Sequence, residues 1–141
     1  MVAVLGVKIS RDVDRLARLE AKRFHVIVNE VRDESILTGD SFLLMINDKF
    51  HQYEFQAVRT DRQLAVDNGL LKQRSLEPGV SLNWDVFEQF EENDGQVRKV
   101  LITPLGEITP FEARFVGGDF EYIVFVNEEN QLQQRDNQRR F

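Results

Sequence analysis

The spacing of hydrophobic positions changes once along the chain. From Arg11 to Leu37 they recur at helical intervals, at Val13, Leu16, Ala17, Phe24, Ile27, Val28 and Val31. This predicts one amphipathic helix of about 27 residues, roughly 40 Å long at about 1.5 Å per residue. Ser10 stands where a cap is expected, and Asp12 and Asp14 suit the positive end of the helix dipole. Gly39 is the expected stop, because it tolerates the left-handed backbone that ends helices. Glu20 interrupts the apolar stripe near its middle, and Leu19 and Val26 fall on nearly the opposite face. The C-terminal half of the stripe is the more apolar and is predicted to lie on a sheet. The N-terminal half, with Arg11, Asp14, Arg15 and Arg18, is predicted to project or to be only partly covered.

Beyond Gly39 the period shortens to two. Phe42 to Ile46 is a continuous apolar run, predicting a strand covered on both faces. Tyr53, Phe55 and Ala57 alternate with polar residues, as do Val80, Leu82, Trp84 and Val86. Val97 to Ile102 predicts another strand, and alternation returns at Phe111, Ala113, Phe115 and at Phe120, Tyr122, Val124, Val126. Turn chemistry separates the runs at Pro78-Gly79, Asp94-Gly95, Pro104-Leu105-Gly106 and Gly117-Gly118, the last predicting a hairpin. Thr60 to Glu77 predicts a loop with at most one short element. The segment from Asn127 to Phe141 is polar, aperiodic and free of glycine, which predicts poor order. The pattern therefore predicts an α+β fold: a stalk helix within 1–38 (about 11–37), an antiparallel β-sandwich head over 39–127 and a polar, disordered tail over 128–141.

The chain has 141 residues, enough for one domain with a real core. Its net charge of −6 argues against wholesale nucleic-acid binding. It has no cysteine, which removes disulfides, thiolate metal sites and cysteine nucleophiles together. No run reaches the roughly 20 apolar residues that span a bilayer. Val2 to Val7 is apolar but far too short, and lacks the basic start and cleavage site of a signal peptide.

Chemistry-bearing patterns are sparse. His25 and His51 have no second histidine or cysteine at ligand spacing, so no transition-metal site is expected. Glu91-Glu92-Asn93-Asp94 and Asn127-Glu128-Glu129-Asn130 have the oxygen donors that calcium takes but not the alternating spacing of a calcium loop, and are read as solvated turns. Ser41 follows Asp40 without a nucleophile elbow or recognisable base, and no glycine loop could cradle a phosphate. The expectation is a non-enzyme without cofactors.

The segment Gly106-Glu107-Ile108-Thr109-Pro110-Phe111 carries the most structural information. Gly106 supplies a backbone conformation that other residues resist. Pro110, lacking an N–H, belongs at an edge, a bulge or a strand start. Phe111 then points into the core, where truncation typically costs about 3–5 kcal/mol. Together with the helix-then-sandwich order, this segment resembles the H-type minor pseudopilin of the bacterial type II secretion system. Arg11-Asp12-Val13 with Glu20-Ala21-Lys22-Arg23-Phe24 resembles the exposed start of that family's helix. Ser35-Ile36-Leu37-Thr38-Gly39 resembles its helix end, and Leu76-Glu77-Pro78-Gly79-Val80-Ser81-Leu82 its Pro-Gly turn before a middle strand. The Ile-Thr-Pro-Phe element is the most specific of these.

The resemblance implies a pilin-like fold and a structural role near the tip of a short pseudopilus that helps export folded proteins across the outer membrane. It implies a leader and an apolar anchor ahead of Val2, cleaved and methylated by a prepilin peptidase. That anchor would make the full protein single-pass in the bacterial inner membrane, with this domain in the periplasm. The implied partners are other pseudopilins, major and minor, and no nucleic acid. Candidate subunit contacts are Leu19 and Val26, apolar on the face away from the stripe, with Arg11, Arg15 and Arg18 suited to acidic neighbours. Two alternatives stay open. One is a minor type IV pilin of the DNA-uptake kind, with Arg135, Arg139 and Arg140 on phosphates, although the net charge and Glu128-Glu129 oppose it. The other is a soluble binding sandwich with no role in a filament.

Overall fold

The structure, a computed structural model, describes residues 2–47, 51–58, 72–86 and 99–138, with side chains from 12 to 137. One helix, α1 (Val2–Thr38), leads into eight strands: β1 (Ser41–Asn47), β2 (Gln52–Val58), β3 (Arg74–Ser75), β4 (Ser81–Val86), β5 (Lys99–Ile102), β6 (Phe111–Gly117), β7 (Phe120–Val126) and β8 (Leu132–Gln138). They form two antiparallel sheets, ordered β3-β2-β1-β5 and β4-β6-β7-β8.

The helix is longer than its apolar pattern predicts. It runs through Ser10 to Val2, so Ser10 is an interior residue and not a cap. Serine is only mildly unfavourable inside a helix, and no proline precedes it to break the run. At the other end Gly39 has φ 75, and its N–H donates to the Ser35 carbonyl at 2.9 Å, the left-handed C-terminal stop expected of glycine. Among the described side chains the N-terminal half is partly covered, as expected: from Val13 onward the helix rests on the head, with Val13, Asp14 and Leu16 half-buried. Gly117 explains the closeness: a Cβ there would lie 2.5 Å from the Val13 carbonyl oxygen and 2.8 Å from the Ala17 Cβ. Small residues at Ala17 and Ala21, both wholly buried, keep the helix near the sheet.

Phe24 is the hub of the core. Its ring meets Tyr53 of β2 edge-on at 5.1 Å, Phe111 of β6 edge-on at 6.0 Å and Phe115 at 5.3 Å. One helix side chain thus joins both sheets, and Ile27, Val28 and Val31 extend the seam.

Three strand expectations change. In β1 only Phe42, Leu44 and Ile46 are buried, while Leu43 and Met45 are half-buried. The run is apolar throughout, but an antiparallel sheet in this setting turns only one face to the core. Over its described residues the polar tail is not a disordered segment: Leu132–Gln138 pairs with β7 from Val126↔Leu132 to Phe120↔Gln138. Backbone bonds to an open sheet edge need no apolar period, and the turn before β8 is held by its own side chains. Asn127 Oδ1 accepts from the N–H groups of Glu129 and Gln131 at 3.0 and 2.8 Å, and Asn130 adopts φ 60. The β6–β7 hairpin turns at Gly118-Asp119, with Gly117 paired to Phe120 and φ 62 at Gly118. Within Thr60 to Glu77 the short strand β3 pairs with β2. The remaining 60–71, the Asp94-Gly95 turn and Val97 lie outside the described residues.

Candidate assembly surface

The solvent face of α1 is built by its spacing. Leu19 and Val26 are seven residues apart, about 20° short of two full turns, so they stand nearly in line along the helix. They are 49% and 51% exposed. Arg15, Arg18, Lys22 and Arg23 surround them and are also exposed. The acid within that stretch, Glu20, points the other way and is buried. This face is therefore cationic over Arg15 to Arg23, with two apolar side chains set in it. Further along, Glu30 and Asp33 are exposed and reverse the sign. Arg11 belongs to α1, but its side chain lies outside those described.

The spacing argument also reaches residues that the sequence reading left aside. Leu37 follows Leu19 by about five full turns and is 81% exposed. Ile36 is 52% exposed, with its Cδ1 3.3 Å from where a Cβ on Gly106 would stand, and the neighbouring Leu105 is 84% exposed. Leu37 could have been found by continuing the wheel past the apolar stripe. The approach of Ile36 to Gly106 could not, since it depends on how the chain folds back.

The Gly106–Phe111 segment lies inside the architecture. Gly106 has φ 82. Ile108 bridges Ile102, and Thr109 is bound to Leu101 three times: its N–H donates to the carbonyl at 3.0 Å, and its Oγ1 accepts the N–H at 3.0 Å and donates to the carbonyl at 3.4 Å. Pro110 stands immediately before β6, and Phe111 opens that strand wholly buried. Arg32, which sequence reasoning missed, clamps the segment to α1. Its Nε donates to the Gly106 carbonyl at 2.8 Å and its Nη2 to the Asn130 carbonyl at 2.6 Å. The Asn130 side chain pairs with the backbone of Ile108 in both directions, each at 2.8 Å. This is a structural fastening of helix, the Gly106 turn and the turn before β8.

The remaining candidates are mostly engaged. His51 sits at φ 51, and its Nδ1 accepts the Leu82 N–H at 3.3 Å, which ties the turn before β2 to β4. His25 is half-buried beside a shallow groove of about 700 Å³ between Lys22, Val26 and Asn29 of α1 and Leu132, Gln133 and Gln134 of β8. Among the described residues no three His, Cys, Asp or Glu side chains gather as metal ligands. The Glu91–Asp94 run, Arg139 and Arg140 lie outside the described residues. Arg135 is occupied: its Nη2 lies 2.7 Å from Glu112 Oε1, and its guanidinium stacks 4.7 Å over the Phe125 ring. Tyr122 donates to Asp14 Oδ1 at 2.8 Å; burial and then this carboxylate push its pKa up to about 12, against the opposing pull of Arg18. No helix among the described residues is long and apolar enough to cross a membrane.

The fold resembles solved structures. One titled as the minor pseudopilin EpsH from the type 2 secretion system of Vibrio cholerae superposes with a TM-score of 0.69 at 20% identity, covering 84% of this chain and 95% of that one. A second structure of the same Vibrio cholerae protein gives 0.71 at 19% identity, covering 86% and 94%. No known family signature and no curated protein matches the sequence. The architecture is thus the pilin-like one of EpsH, a long helix on antiparallel sheets, at a sequence identity of 19–20%.

Proposed function

We propose that this protein is a minor pseudopilin of a type II secretion system, working as a structural subunit. The observation that carries the reading is the solvent face of α1. A helix that completes a core on one side keeps Leu19 and Val26 in a row on the other, set among Arg15, Arg18, Lys22 and Arg23. Scattered apolar residues are normal on a surface, but a row along a long helix suits a neighbouring helix. The likeness to EpsH over most of both chains supports the same role. In this reading an apolar segment ahead of Val2 anchors the full protein in the inner membrane, and the head stands in the periplasm. Its helix packs beside those of other pseudopilins near the fibre tip, and the assembly helps folded proteins cross the outer membrane.

The test is capture in place. A photo-crosslinking residue put at Leu19 or Val26 of the full-length protein is expected to trap another pseudopilin, while one at the buried Val28 traps none. Equal trapping at all three positions, or none at Leu19 and Val26 in secreting cells, overturns the reading.

A further inference from the structure

From Arg15 onward the outer face of α1 changes sign once along its length. At about 100° per residue, the side chains within about 60° of the Leu19 direction fall into two blocks. Arg15, Lys22 and Arg23 come first, and Glu30, Asp33 and Glu34 follow. Val26 stands between the blocks, with Leu19 and Leu37 on nearly the same line, and all three are exposed.

The helix itself does not favour this arrangement. Glu30 stands three residues from Asp33 and four from Glu34, the spacings at which like charges on a helix repel. Arg15, Arg18 and Lys22 repeat those spacings with the other sign. Asp33 and Glu34 also approach the end of α1 at Thr38, where the dipole favours cations, and the last turn has no basic residue. Interspersed signs would have given attractive pairs within the helix. Among the described residues, Lys22, Glu30, Asp33 and Glu34 make no ion pair inside the chain.

The two blocks fit each other at one displacement. Lys22 to Asp33, Arg23 to Glu34 and Val26 to Leu37 are each eleven residues apart. That interval is about 20° more than three turns, so the members of each pair share the face. Two parallel copies of α1 offset by it, roughly 16 Å at about 1.5 Å per residue, bring Lys22 of one level with Asp33 of the other. Arg23 then meets Glu34, and Val26 meets Leu37. An antiparallel pair centred on Val26 matches signs as well. The parallel choice rests on the pseudopilin role proposed above, because chains anchored in one membrane ahead of Val2 hold their helices parallel.

We infer that the outer face of α1 receives a second copy of this chain, parallel and offset by the interval from Lys22 to Asp33, with the cationic block of one on the acidic block of the other. The contact is heterologous, since each copy keeps one block unused, so it extends to a third copy rather than closing. Both heads pack on the opposite face of their helices, through Phe24, Val28 and Val31, and lie outside the seam. Exposed ion pairs add little affinity. The charges therefore set direction and register, and Val26 against Leu37 supplies the apolar contact.

The test uses the full-length protein in secreting cells, with two copies carrying different tags. The chain has no cysteine, so introduced ones report alone. Val26→Cys in one copy with Leu37→Cys in the other is expected to give a mixed disulfide dimer. Val26→Cys in both is expected to give none, because the offset holds the two sulfurs beyond bonding reach. Asn83→Cys on β4, in place of Leu37→Cys, is the control for chance collision. Lys22→Glu in the Val26→Cys copy should lower the mixed dimer about fivefold, and Asp33→Lys in the Leu37→Cys copy should restore it. All five positions are exposed, so the variants keep the fold. No mixed dimer above the control, a dimer of Val26→Cys with itself, or a loss that Asp33→Lys does not restore overturns the inference. Trapping of a different pseudopilin at Leu19 or Val26 without any dimer of this chain removes the second copy and leaves the pseudopilin role standing. A mixed dimer with no other pseudopilin trapped does the reverse.

Discussion

The two faces of α1 differ in what they leave unmatched. The inner face is fitted atom to atom: Gly117 admits the helix backbone, Phe24 reaches both sheets, and Arg32 places two hydrogen bonds on carbonyls of distant turns. The outer face has shape and charge, and among the described residues Leu19 and Val26 stay about half exposed on it. Its cations stand together over Arg15 to Arg23. One face is thus committed to folding the subunit, and the other is available to a neighbour. Substitutions on the two faces should separate along that line, stability on one side and association on the other.

The largest loss should come from the hub. Phe24→Ala removes the ring that joins β2 to β6 and is expected to cost about 3–5 kcal/mol in a denaturant titration. A cost under about 1 kcal/mol would show that the sheets hold each other without the helix. Gly117→Ala should follow at about 1–3 kcal/mol, because its Cβ would collide with backbone that cannot swing aside. Gly117 does not have a positive φ, so that loss would report space alone. Arg32→Ala removes two charge-assisted bonds, one to Gly106 and one to Asn130, and is expected to cost about 1.5–3 kcal/mol. Faster amide exchange in β8 and at Ile108 would locate the damage. On the outer face, Arg15→Glu with Arg18→Glu should change stability by no more than about 0.5 kcal/mol, read as an unmoved melting temperature.

The same division governs what could be read without the fold. The inner stripe of Phe24, Ile27, Val28 and Val31 follows from period alone, and burial confirms each of them. The outward direction of Leu19 and Val26 follows from the same wheel. What period cannot show is a polar residue whose partner is distant in sequence. Arg32 meets Asn130 across 98 residues, and nothing near either position announces the contact. Strand β8 is hidden for a related reason: Gln133, Gln134 and Asp136 give no alternation, and the edge of β7 supplies the bonds that hold them. Glu20 was legible as an interruption of the stripe. Its burial was not, because period does not show what the folded chain places against a helix.

The central claim is that the outer face of α1 joins this subunit to a fibre. The most direct measurement places Arg15→Glu and Arg18→Glu together in the full-length protein, in cells that secrete through the system, and follows both secretion and cross-linking to the other pseudopilins. The account predicts that both fall sharply while the variant accumulates normally and its isolated domain melts as the wild type does. Unchanged secretion and cross-linking from a normally folded variant would contradict it.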